Sequence, residues 1–297
     1  MRPPNHSVAR PKLGDMSHSR AAGTADTFNS TSREFDLITP LVWGPAGQAL
    51  SFALDLAAGE SVLDVCAGTG ASAIPAAQAV GPDGIVHAID LADDLLEVGR
   101  LKATSAALRN IDFVCADATE WEAPSSIDGG YDALACSYGI FFLPDMDITF
   151  SRLVSEVRLG GRVGVTVWRK GAVKDFGDAY FEVIARHSPG DGHTGPLSRQ
   201  GYESNPLRRI ETADTLAAWL EAQRCESVQV RELSNHVPAT EEFVWNLVLG
   251  SGFRGALADF DDATRERVRT EFLELLTARG IDSVDATTLV ATGVRTA

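Results

Sequence analysis

Val62-Leu63-Asp64-Val65-Cys66-Ala67-Gly68-Thr69-Gly70 is the stretch whose reading decides the fold. An apolar run that carries an acid breaks into a glycine turn, and a helix-compatible segment follows. Glycines between a strand and a helix let backbone N–H groups approach a nucleotide-like cofactor closely. Gly68-Thr69-Gly70-Ala71-Ser72-Ala73 satisfies the permissive G-x-G-x-x-A form of the dinucleotide fingerprint. Asp64 argues against a pyrophosphate there, because its carboxylate beside two phosphates would cost on the order of several kcal/mol at low dielectric. A cofactor that carries positive charge, such as an amino acid attached to a sulfonium, suits it better. Asp90 ends the next apolar run, Ile85-Val86-His87-Ala88-Ile89, where an acid can accept both hydroxyls of a ribose. That supports a ribose without choosing between the two cofactors.

Outward from this run, apolar segments at 61–66, 85–89, 111–115, 131–136 and 162–168 read as strands, with helices near 70–80, 92–108 and 146–158 between them. Alternation of this kind predicts a doubly wound parallel sheet of the α/β class. Gly81-Pro82-Asp83-Gly84 reads as a turn, and Gly160-Gly161 as the left-handed stop of the third helix. Ahead of the sheet, apolar residues from Phe28 to Leu56 recur at mostly helical spacing. This N-terminal helical segment could cover a cofactor, pair with another subunit to form a homo-oligomer, or cap the core. Beyond Trp168 come a helix at 176–186, a polar Gly- and Pro-rich stretch at 188–206, a helix at 213–223 and a strand at 227–233. Helices at 241–250 and 261–279 then lead to a last strand at 287–295. Met1 to Thr24 lacks the apolar stretch of a signal peptide and reads as a disordered tail. Residues 25–297 read as one domain, with N-terminal helices at 25–57, a cofactor-binding core at 58–170 and substrate-cap helices with the last strands at 171–297.

The 297 residues carry 26 basic and 41 acidic side chains, a formal charge of −15. Such an excess argues against nucleic acid or an anionic membrane surface as the main partner and favours a small molecule. Cys66, Cys115, Cys136 and Cys225 include no CxxC pair, so neither a metal site nor a redox motif is expected. Free thiols in predicted strands point to a reducing, cytoplasmic setting. No apolar run approaches the roughly 20 residues that span a bilayer.

The Val62–Gly70 run resembles the first motif of class I S-adenosylmethionine-dependent methyltransferases. Further matches extend the resemblance over about Glu60 to Trp168. Phe113-Val114-Cys115-Ala116-Asp117-Ala118 is similar to the family's third-strand motif, Tyr131-Asp132-Ala133-Leu134-Ala135-Cys136-Ser137-Tyr138 to its fourth strand, and Val157-Arg158-Leu159-Gly160-Gly161-Arg162 to the turn before its fifth. The resemblance implies a Rossmann-like seven-stranded sheet with helical cap insertions, its last two strands antiparallel, and S-adenosyl-L-methionine as cofactor. It carries Asp64, Gly68, Gly70, Asp90, Leu91, Asp117, Ala118 and Ser137 over as cofactor-site candidates. In that scheme Asp64 orients the loop or the cofactor's amino group, Asp90 holds the ribose and Leu91 lines the adenine pocket. Cys66 departs from the pattern, since many members have glycine there, and it narrows the expected pocket.

The fourth strand runs into Ser137-Tyr138-Gly139-Ile140-Phe141-Phe142-Leu143-Pro144, not into the Asn/Asp-Pro-Pro-Tyr of enzymes that methylate base amines. Aromatic side chains there could surround a sulfonium through cation–π contact, each worth about 0.5–2 kcal/mol. Tyr138 and His193 are the candidate catalytic residues, with His187 and His236 as further general bases. Arg199, Arg208 and Arg209 could bind a carboxylate or phosphate. Phe35, Trp43, Trp168, Tyr202 and Trp245 are candidate pocket aromatics. The expected acceptor is a small, mainly apolar molecule such as a terpenoid, quinone or phenolic, methylated on carbon, oxygen or nitrogen. A nicotinamide-dependent oxidoreductase and a noncatalytic adenosylmethionine-binding protein stand as alternatives.

Overall fold

A computed structural model describes residues 26–188 and 205–297. The expected N-terminal tail, His193, Arg199 and Tyr202 lie outside the described residues. Two N-terminal helices, α1 (Ser32–Ile38) and α2 (Trp43–Ala53), precede the sheet. Alternating elements follow: β1 (Ser61–Val65), α3 (Ala73–Val80), β2 (Ile85–Asp90), α4 (Asp93–Ser105), β3 (Ile111–Cys115), β4 (Tyr131–Ser137), α5 (Met146–Ser155) and β5 (Val157–Trp168). The C-terminal part holds α6 (Lys174–His187), α7 (Ala213–Ala222), β6 (Cys225–Leu233), β7 (His236–Pro238), α8 (Glu241–Leu249), α9 (Asp262–Ala278), β8 (Ser283–Asp285) and β9 (Thr288–Arg295).

Seven strands form one sheet in the order β3-β2-β1-β4-β5-β9-β6. β9 lies antiparallel to both β5 and β6, as expected for the last two strands, and the other pairings are parallel. Parallel strands need cover on both faces, and strand alternation divides the core accordingly. Val62, Ala133 and Ala135 share one core with Leu50 and Leu54 of α2 and Ala76 and Val80 of α3. Leu63, Val65 and Leu134 face the other, with Phe150 of α5 and the aromatic residues of the cap. In the cap, Phe176 of α6 meets Phe272 of α9 and Phe253 edge-on, with ring centroids 5.2 Å apart in each pair. Strand order reverses between β1 and β4, which opens a crevice at the carboxyl ends of β1, β2, β4 and β5.

Two features depart from the sequence reading. The helix before β5 ends at Ser155 and is not stopped by Gly160-Gly161. Those glycines sit inside β5, in an irregularity where Val157 pairs with Tyr131 but Arg162 already pairs with Ala133. Val157 is buried, and the Tyr131 N–H donates to the Glu156 carbonyl, so the strand begins before the glycines. The small β7–β8 pair was not expected either, because three residues per strand are too few to show a period.

Candidate active site

A cavity of about 210 Å³ occupies this crevice. Asp90 anchors one end. Its Oδ2 accepts the Gly68 N–H and its Oδ1 the Ala92 N–H, both at 2.9 Å. Each oxygen keeps further lone-pair capacity toward the cavity. Burial pushes this carboxyl above its ordinary range, opposed by the N–H groups of Ala92, Gly68 and Leu91. Gly68 lies at φ +52° on the cavity wall beside the Phe35 ring. Leu91, Ala118 and Ser137 also line the cavity. Asp117 lines it too while its Oδ1 accepts the Thr119 N–H and hydroxyl, at 2.8 and 2.7 Å.

Asp64 and Gly70 stand behind the wall. Strand alternation places Asp64 on the face shared with Val62, toward the start of α3, where it is fully buried. Both of its oxygens lie within reach of the Ser72 hydroxyl, at 2.8 and 3.0 Å, and Ala73 adds a backbone N–H. Burial, assisted by the nearby Asp90, pushes this carboxyl up to about 7 against those hydrogen bonds. Asp64 therefore ties β1 to the helix start and so shapes the glycine turn.

Cys66 adopts φ +57° and lines the cavity, and burial together with the Cys136 thiol pushes its own thiol well up. The chain accommodates this side chain at Gly139. A Cβ there would lie 2.4 Å from Cys66 Cβ, 2.8 Å from Cys66 Sγ and 2.9 Å from Cys136 Sγ.

Tyr138 is buried on the cavity wall at φ +56°, and its hydroxyl pairs with that of Thr288. Burial pushes the phenol above its ordinary range. Its neighbour Ser137 shares a 2.8 Å hydrogen bond with Thr166. His187 instead bonds Glu271, 2.9 Å away, and His236 lies on β7, neither of them on the cavity wall. Arg208 reaches the wall with its guanidinium on Glu211, 2.6 Å away, whereas Arg209 turns to Asp147 at 2.8 Å. Phe35, Trp43 and Trp168 line the cavity and Trp245 does not. Among the described residues, the ionisable side chains on the wall are Cys66, Asp90, Asp117, Tyr138 and Arg208. Sequence reasoning missed Leu207, Leu247 and Phe253, which arrive from the cap and carry no spacing signal.

A model of the ubiE/COQ5 methyltransferase family matches residues 24–241. The chain belongs to that family. As one of its members it is an S-adenosylmethionine-dependent methyltransferase, and the nicotinamide alternative falls away. Aklanonic acid methyltransferase DauC of a Streptomyces species is 36% identical over 146 residues, covering 48% of this chain and 65% of that protein. The ubiquinone/menaquinone biosynthesis C-methyltransferase UbiE of Methylobacterium nodulans is 29% identical over 225 residues, 72% of this chain and 87% of the relative. The YcgJ protein of a Bacillus species shares the fold at a TM-score of 0.52 and 13% identity, over 85% of this chain and 98% of the other. Among the described residues of this methyltransferase no helix is long and apolar enough to cross a membrane.

Two outcomes follow for the enzyme. Gly139→Ala should lower stability by about 1–3 kcal/mol through overpacking, and Cys66→Gly in the same chain should restore part of it, both read by urea unfolding. The folded Asp64 holds its proton to about 7, against an ordinary value of 3.8. Its burial therefore destabilises the fold increasingly as pH rises from about 4 to 7, with no further change above. Asp64→Asn has no such loss. Its stability relative to wild type should rise by on the order of a few kcal/mol across that window and then level off, in urea unfolding at a series of pH values.

Proposed function

We propose that this enzyme methylates a small, planar, mainly apolar acceptor of the quinone, phenolic or polyketide kind, which brings its own acidic or enolisable group. The observation that carries this reading is the wall at the ends of β4 and β5. There Tyr138, Trp168, Trp43, Phe141 and Phe142 surround the space, and among the described residues no histidine, lysine or glutamate joins them. Tyr138 contributes an aromatic face, since its hydroxyl is bonded to Thr288 and its acidity is suppressed.

The residues present fit the cofactor. Asp90 has lone pairs left for the ribose hydroxyls, Leu91 and Ala118 offer apolar surface for adenine, and Gly68 keeps the wall open beside Phe35. Asp64 acts through Ser72 on the shape of the turn. Bound adenosylmethionine supplies an activated methyl on a sulfonium. For in-line displacement on such a donor, alignment of the acceptor can provide much of the acceleration. The aromatic rings hold the acceptor flat, favour the positive sulfonium and exclude water. Arg208, oriented by Glu211, can hold an acidic group at the cap side of the acceptor. The relatives, an aklanonic acid methyltransferase and a ubiquinone/menaquinone biosynthesis C-methyltransferase, support an acceptor of this chemistry.

Incubation with adenosylmethionine and a panel of hydroquinones, phenols and polycyclic aromatic acids, followed by mass spectrometry, should show transfer of one methyl group. Transfer only to peptide or nucleic-acid acceptors would overturn the proposal. Asp90→Ala should weaken S-adenosylhomocysteine binding about 10- to 100-fold, the worth of hydrogen bonds to a charged acceptor, and should also lower the unfolding temperature, because the Gly68 and Ala92 N–H groups lose their acceptor. Unchanged calorimetric affinity would remove Asp90 from the cofactor site.

A further inference from the structure

The indole of Trp43, the first residue of α2, sits at the junction of the two halves of the cavity. It stacks on Phe35 at 5.3 Å, and Phe35 in turn borders Gly68 of the glycine turn. Its other sides meet Tyr138 at 5.1 Å and Trp168 at 5.7 Å, from the ends of β4 and β5. Trp43 is only 8% exposed, and its Nε1 is buried without a hydrogen-bond partner. Of the buried side-chain nitrogens and oxygens left unpartnered among the described residues, this one alone belongs to a residue on the cavity wall.

An unpaired buried N–H is costly, and such groups in folded proteins call for an explanation. The surroundings supply one by elimination. Ser137 is paired with Thr166, and the Tyr138 hydroxyl with Thr288, so the polar groups at this end of the sheet already satisfy one another. The Trp43 N–H is a donor left over in an aromatic box. An indole N–H only donates, and an acceptor atom carried by a ligand in the adjoining cavity would satisfy it.

We propose that Trp43 is an acceptor-binding residue whose Nε1–H donates to an oxygen of the methyl acceptor, carbonyl, phenol or phenolate, next to the atom that is methylated. This rests on the aromatic-acceptor reading above and narrows it to oxygenated rings. The hydrogen bond fixes the ring's rotation within the box. It also favours the anionic form of the oxygen, so the bound acceptor gives its proton to solvent more readily, which matters because the described wall residues include no histidine or lysine.

The test is a double comparison in the presence of S-adenosylhomocysteine, with wild type and Trp43→Phe each titrated with 1-naphthol and with naphthalene. Phenylalanine keeps an aromatic ring while removing the donor and some volume, and naphthalene controls for the lost volume. Wild type should prefer naphthol over naphthalene at least about 10-fold more strongly than the variant does, with S-adenosylhomocysteine affinity unchanged. For any acceptor that turns over, the variant should also move the acidic limb of the kcat profile, which reports groups in the bound complex, to higher pH. Equal discrimination by both proteins overturns the inference and leaves the aromatic-acceptor reading standing, since a merely structural tryptophan would weaken both ligands alike. Loss of S-adenosylhomocysteine affinity in the variant would assign the N–H to the cofactor and overturn it as well. Failure of wild type to bind either ring would overturn both readings.

Discussion

A buried carboxyl bonded to one hydroxyl and one backbone N–H organises this molecule. Asp64 lies on β1 in the core, and its bond to Ser72 joins that strand to the start of α3. The glycine turn between them is thereby pinned at both ends. Because the turn is fixed, the Gly68 N–H points to Asp90 on the neighbouring strand, and that acid is itself held in place. The cost of burying Asp64 is visible in its raised pKa near 7. Such a cost is tolerated where it fixes a site's geometry, and strained or perturbed groups collect at functional sites for that reason.

The other half of the site is built from a different kind of interaction. The helices before the sheet bring Phe28, Phe35 and Trp43 over the ends of β4 and β5, while α6 and the segment at 252–253 close the space from the cap. Hydroxyls that could have made this end polar are paired among themselves, Ser137 with Thr166 and Tyr138 with Thr288. The result is an aromatic chamber beside a polar, acid-bearing one. That division suits a reaction in which a charged donor meets an apolar acceptor and placement supplies much of the acceleration. Cys66 and Gly139 show the same economy of space, a thiol in the turn balanced by a missing side chain on the next loop.

Much of the fold was legible because apolar periodicity is local. The predicted strand at 111–115 coincides with β3, and the one at 131–136 falls one residue short of β4. Where local signals compete, the reading slipped. Gly160-Gly161 look like a helix stop, yet pairing of Val157 with Tyr131 draws the chain into the sheet before the glycines are reached. β7 and β8 pair across a long stretch of intervening sequence with no period to betray them. At the site, Asp90, Leu91, Asp117, Ala118 and Ser137 are brought to one cavity, since each follows directly from a strand end. Asp64 was legible as important, but its partner was not.

By itself the sequence determined the alternation of strand and helix, the glycine turn with its acid, and the spacing from that turn to Asp90, because each depends on neighbours along the chain. Only the tertiary structure decided that Asp64 faces Ser72 behind the cavity, that Cys66 needs Gly139, and that Trp43 stands between the glycine turn and the aromatic end of β4. These are contacts between residues far apart in sequence, set by which face of a strand meets which helix. A one-dimensional pattern carries the face but not the partner.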